Sequence, residues 1–165
     1  MMNRLAAHFI FPLTSSPVAK GMIEVDDDGT IVSLHHPEGE LREMAGMVFY
    51  NGIICPGFID LFTEFPSDKL FEYLPGFLKY KVMFPFNRTG DKGVFEWIKA
   101  VQLSDDEISL EELLRLFILE PARILERQEE SGTLAPGKRP GLMLIDRMDY
   151  RNLRLSPDSR VKRLI

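Results

Sequence analysis

The chain has 165 residues, 45% of them hydrophobic and 27% charged, with a formal net charge of −5. That is enough apolar material for one cooperative core or two small ones, and the mild acidity gives no general attraction to nucleic acid or to an anionic membrane. Cys55 is the only cysteine, so no intrachain disulfide can form, and no apolar run reaches the roughly 18 residues of a membrane-spanning helix.

The opening "MMNRLAAHFIFPL" has a short apolar patch but contains His8 and Pro12 and lacks a clear small-residue cleavage site, so its apolar and aromatic "RLAAHFIF" suits a first strand rather than a signal peptide. Next, "GMIEVDDDGTIVSL" places two β-rich runs, Met22–Val25 and Thr30–Leu34, around Asp26-Asp27-Asp28-Gly29. Asp-Gly supplies the positive φ of a tight hairpin turn. A calcium loop would need further spaced oxygen ligands ending in a carboxylate, and none falls in that register. His35 and His36 are adjacent, so on a strand they point to opposite faces and cannot chelate together. The stretch "EGELREMAG" suggests one helical turn, and "MVFYNGIICPG" a strand with Asn51-Gly52 as a second turn signal. Cys55, ahead of Pro56 in an apolar run, reads as a buried, inert thiol.

Beyond Phe65 the pattern changes. "SDKLFEYLPGFLKYKVMFPF" is crowded with aromatics and broken by Pro75, Gly76 and Pro85, which argues for short helices or loops. In "DKGVFEWIKAVQLS", Val94, Trp97, Ile98 and Val101 recur at helical spacing. In "ISLEELLRLFILEPARILERQ", Ser109 and Glu112 form a capping box, with Leu110, Leu113, Leu114 and Phe117 as the apolar stripe behind it. Pro121 cannot continue that helix without a kink and is placed to open a second one. The remainder, "GTLAPGKRPGLMLIDRMDYRNLRLSPDSRVKRLI", returns to turns and strands. Charge is uneven here: nine acids against three bases from Ser104 to Glu130, then eight bases against three acids from Lys138 to Ile165. These read as two solvated faces that attract each other. A nucleic-acid tail is the sharper reading, weakened by Val161, Leu164 and Ile165, which break the basic run as in an edge strand.

Two passages carry a family resemblance. "GIICPGFID", Gly52–Asp60, resembles the segment of the amidohydrolase superfamily that enters its first barrel strand, and "GTLAPGKRPGLMLID", Gly132–Asp146, is similar to that superfamily's closing segment. Between them "SLEELLRLFILEPARIL" resembles the last barrel helix and its successor. The branch most similar is that of cytosine deaminases and chlorohydrolase-like enzymes. The resemblance implies a small β domain built from both chain ends, around a β/α barrel that carries metal-dependent hydrolysis of C–N bonds. Phe65 to Ser109 is far too short for most of a barrel, which takes ~200 residues or more. Aligned on "PGFID", the family's His-X-His falls on Phe62 and Glu64, and phenylalanine has no lone pair for a metal.

The expectation is an α+β fold: a composite β-sandwich from residues 1–60 plus 131–165, with residues 61–130 a helical insertion in place of the barrel. The function expected is non-catalytic, an assembly or binding role over a degenerate active site. The alternative is a metal-dependent hydrolase or deaminase with a rebuilt site, for which Asp60 and Glu64 are the candidate carboxylates; only that reading calls for zinc or iron, and otherwise no cofactor is expected. A small-molecule binding module is the third reading. A homodimer is expected through the aromatic segment, with Phe62, Phe65, Phe71, Tyr73 and Phe77 at its interface. No nucleic-acid or membrane partner is expected, and the expected location is the cytoplasm.

Overall fold

The computed structural model describes residues 1–38, 42–61, 72 and 90–165. Within them the class is mixed α+β. Strands β1 (Asn3–Ile10), β2 (Val18–Ala19), β3 (Met22–Val25), β4 (Ile31–His35) and β5 (Met47–Pro56) precede the helices, and β6 (Leu142–Asp146) and β7 (Arg160–Arg163) follow them. All seven belong to one sheet of order β4-β3-β1-β5-β6-β7, with β2 paired to β1. β1 and β5 run parallel, and the other pairs are antiparallel. Strands from both ends of the chain therefore share one hydrogen-bonded sheet, joined at β5 and β6, where Ile53 faces Ile145 and Pro56 faces Leu142.

The β3–β4 hairpin turns where the acidic triplet predicts it. Gly29 adopts a φ of 82°, and Asp26 Oδ1 accepts from the backbone N–H groups of Asp28 and Thr30 at 2.9 Å each. A short aspartate side chain thus serves the turn. Asn51-Gly52 behaves differently from its turn reading, because β5 runs straight through it. Ala7 faces Tyr50 and Phe9 faces Ile53, so Asn51 and Gly52 together oppose His8 alone. The dipeptide is a β-bulge. Gly52 is required there because a Cβ would lie 2.5 Å from the Ile145 carbonyl oxygen.

Both faces of the sheet are covered. On β5 and β6, Ile53, Cys55, Met143 and Ile145 point to one side, against the helices. Ile54, Leu142 and Leu144 point to the other, with Leu5, Ile23, Val25, Ile31 and Leu134. Period-2 alternation with two buried faces explains why "GIICP" and "LMLI" are continuously apolar. The second cluster is closed by backbone hydrogen bonds between the outer strand and the chain entering β6: Ile31 N–H to Lys138 O and Gly137 N–H to Ile31 O, both 2.8 Å.

Helix α1 (Gly90–Ser104) buries Val94, Trp97, Ile98 and Val101, as the spacing predicts, and Phe95 beside them. Each large side chain buried this way stabilises by roughly 1.5–3 kcal/mol. Arg154 closes its C-terminal end, donating to the carbonyls of Gln102 at 2.7 Å, Asp106 at 3.0 Å and Asp105 at 3.2 Å. A cation there answers both the orphan carbonyls and the helix dipole. Helix α2 (Leu110–Leu114) begins with the capping box: Ser109 Oγ accepts from Glu112 N–H and Glu112 Oε2 accepts from Ser109 N–H, both 3.1 Å. Pro121 does not interrupt the helical path. A π-helical stretch, Arg115–Leu119, joins α2 to α3 (Glu120–Ile124) through unbroken helical dihedrals. In a regular helix Pro121 would clash with the carbonyl four residues back. The wider turn, in which Glu120 N–H reaches Arg115 O, relieves that clash one residue ahead of the ring.

Candidate functional site

The two family-like passages meet side by side. Past the Pro56–Leu142 pair, Gly57 donates its N–H to Gly141 O at 3.1 Å. A side chain at Gly57 would collide with the Pro140 carbonyl, so the close approach requires glycine. Three residues on, Asp60 Oδ2 accepts the Gly90 N–H at 2.7 Å. This candidate carboxylate therefore satisfies one of the free amides at the start of α1 and sits well against its dipole. The same helix end is held by Arg163 of β7, which donates to both carboxylate oxygens of Asp91 at 2.9 and 3.1 Å. Glu64, Phe62, Phe65, Phe71, Tyr73 and Phe77 lie outside the described residues. Among the described residues no three His, Cys, Asp or Glu side chains come together as a metal-binding group.

One polar cluster escaped the sequence reading. Arg4, Glu24 and Ser33 are cross-strand neighbours on β1, β3 and β4. Glu24 Oε1 accepts from Arg4 Nε at 2.8 Å, while Oε2 accepts from Ser33 Oγ at 2.6 Å and lies 3.0 Å from His35 Nε2. His35, then Ser33 and Arg4, hold the Glu24 carboxyl down at about 2 against an ordinary 4.5. A hydrolytic triad needs carboxylate and nucleophile on opposite ring nitrogens. Here both meet Nε2, with Ser33 Oγ 2.9 Å away, so the cluster is a clasp across three strands. With Asp26–Gly29 as the loop, Glu24 would face Ile31; an irregularity between Glu24 and Val25 shifts the register so that Glu24 faces Ser33 instead, which the spacing does not signal. His8 packs against Phe49 and Tyr150, with ring centroids 5.2 and 4.9 Å away. Cys55 is fully buried, and burial pushes its thiol well up, which keeps it protonated and inert.

Two concavities are lined by described residues. A cleft of about 520 Å³ lies between α1 and the approach to β7. Its central cation, Lys99, is committed to Glu96 Oε1 at 2.9 Å and to the carbonyls of Pro157 and Ser159 at 3.2 and 3.3 Å. A smaller pocket, about 260 Å³, lies between the C-terminal half of α1, the start of α2 and residues 152–154. Gln102, wholly buried, forms part of its wall. Its place four residues after Ile98 on the apolar stripe was the sequence signal: a polar side chain at a core position.

No protein-family model matches the chain, and no curated protein matches it. Among solved structures, the chain titled "Crystal structure of A. niger ochratoxinase" is similar at 16% identity and a TM-score of 0.27, over 34% of this chain and 14% of that one. At that level the likeness assigns neither a family nor a function. Among the described residues no helix is long and apolar enough to cross a membrane.

Proposed function

We propose that the chain is a non-catalytic protein on an amidohydrolase-like frame, acting by association with a second copy of itself. The observation that carries the association is the half-open strand β5. Its C-terminal half is paired on both sides, by β1 and β6. Its N-terminal half, residues 47–51, pairs as a strand with β1 alone among the described residues; at its two ends the Met47 N–H donates to Met44 O and the Asn51 carbonyl accepts from the Tyr150 hydroxyl. Val48 and Phe49 in that half are 48% and 44% exposed. An edge with unpaired main-chain groups and apolar side chains is a template for another strand. A twofold axis would pair it antiparallel with its own copy, the commonest closed arrangement. The acidic 104–130 and basic 138–165 stretches add complementary charge.

The frame is supported by the junction of the two family-like passages at Gly57 and Gly141. In this reading the sheet, covered on both faces, stands for the small-domain sandwich, and the helices are an insertion where a barrel would be. Phe62 and Glu64 at the family's histidine positions support the absence of metal chemistry. So does the engagement of Asp60 with α1. The phenylalanines and tyrosine from Phe62 to Phe77 extend the proposed contact.

Light scattering over a range of concentrations tests association. The expected result is a dimer that Val48→Lys with Phe49→Lys weakens. Phe71→Ser with Phe77→Ser should weaken it further. A monomer throughout rejects it. Elemental analysis with family-type substrates tests the other half: bound zinc or iron, with turnover that a chelator abolishes, rejects the non-catalytic reading.

A further inference from the structure

The Gln102 amide has a defined orientation. Its Oε1 accepts the Leu155 N–H at 2.7 Å. A backbone N–H can only donate, so the amide atom facing it is the oxygen, and the opposite orientation would set donor against donor. That leaves Nε2 as the other amide atom, buried and with no hydrogen-bond partner among the described residues. A buried amide donor left without an acceptor is costly, and native structures nearly always answer it.

The pocket beside Gln102 has apolar walls in Phe11, Pro17, Leu110 and Leu153. Its charged groups are already engaged: Arg154 with the carbonyls at the end of α1, and Glu111 with Arg115 at 2.9 Å. Leu153 holds a φ of 52°, a left-handed conformation unfavourable for a bulky residue. Strain of that kind persists where the surroundings impose it, and it concentrates at ligand sites. The volume is just under the ~300 Å³ at which ordinary ligand pockets begin, which suits a single ring or a short chain.

We propose that this pocket is a binding site for a small uncharged molecule with an apolar body and one carbonyl-type acceptor, received by Gln102 Nε2. A charged ligand would find no free counter-charge, and a purely apolar one would leave the donor unmet. Gln102 is wholly buried and Nε2 has essentially no exposed surface of its own, so neither bulk water nor a ligand in the pocket as it stands reaches it, and binding requires the wall beside Gln102 to open. The site is independent of the association reading and of the family resemblance.

The test is a titration of the full, nitrogen-15-labelled chain, followed by NMR. Cyclohexanone is the probe. Cyclohexylamine, charged and without a carbonyl, is its control. Cyclohexanone is expected to shift the Gln102 side-chain amide and Leu155 N–H signals saturably, and cyclohexylamine is not. Gln102→Met should weaken cyclohexanone binding by at least about fivefold, the loss of one hydrogen bond. Leu153→Phe, which fills the pocket and leaves Gln102 in place, should abolish it. No saturable shift up to the probe's solubility limit overturns the proposal, as does an equal response to cyclohexylamine. A long-lived water on the Gln102 amide that cyclohexanone does not displace also overturns it, making the group a hydration site.

Discussion

Glu24 keeps its charge through three neighbours, each on a different strand position, and its side chain is only 14% exposed. Its carboxyl titrates at about 2 in the folded chain against 4.5 ordinarily. Above 4.5 the group is ionised in both states, and its full contribution to stability is present. Between 4.5 and 2 the unfolded chain takes up a proton that the folded chain refuses, so the contribution falls, and below 2 it is gone. Glu24→Gln should therefore be less stable than the parent at neutral pH, with the gap closing as pH falls from 4.5 toward 2. Urea midpoints of both proteins across that range check this. A gap that does not change with pH would mean the carboxylate's charge contributes nothing. Arg4, Ser33 and His35 belong to the same unit, so their effects should not add independently.

At the scale of the element, local chemistry and tertiary packing divide the work. The Ser109–Glu112 box is written in four consecutive residues and forms as the spacing predicts. Pro121 and Gly52 are decided by their neighbours instead. Pro121 is absorbed by the π-helical turn, because Phe117, Ile118 and Leu119 are all buried and a break there would expose them. Gly52 sits in a bulge under the Ile145 carbonyl, with Leu144 Cδ1 a further 2.7 Å contact for any added Cβ. Gly52→Ala should cost about 1–3 kcal/mol, since backbone stands in the way and cannot yield cheaply. Asn51→Ala, exposed in the same bulge, should stay within about 0.5 kcal/mol. Denaturant unfolding of the two variants side by side checks the contrast. Equal losses would mean the bulge itself is strained rather than crowded at one atom.

Across the whole molecule, neither chain end carries a complete sheet. β5 is central, with β1 on one side and β6 on the other. Ile53, Ile54 and Cys55 are each fully buried, on alternating faces. A chain ending at Pro140 lacks β6 and β7, along with Leu142, Met143, Leu144 and Ile145. It should lose cooperative unfolding, including in the strands before Pro56. Circular dichroism and hydrogen exchange of that truncated chain check this. A fragment of residues 1–60 that folds alone with native-like spectra would show that the N-terminal strands do not need the C-terminal ones. The bonds from Ile31 to Gly137 and Lys138 make the same point at the opposite side of the sheet, where β4 also relies on the later part of the chain.

The hairpin at Asp26–Gly29, the stripe of α1 and the cap of α2 were legible from residues alone, because each rests on contacts within a few positions of itself. The joining of both chain ends was legible too, through two short passages around Gly57 and Gly141. Asn51-Gly52 was not, because a turn and a bulge use the same backbone freedom and only the paired strand distinguishes them. The Glu24 clasp needed the register of three strands. The role of Asp60 needed Gly90, thirty positions later, brought beside it. Gln102 marked itself as a polar residue on an apolar stripe, but its fixed oxygen and unmet nitrogen depend on Leu155, fifty-three positions away. Short-range hydrogen bonding and side-chain periodicity are properties of sequence spacing. Which buried donors and acceptors find partners is settled only when distant segments pack.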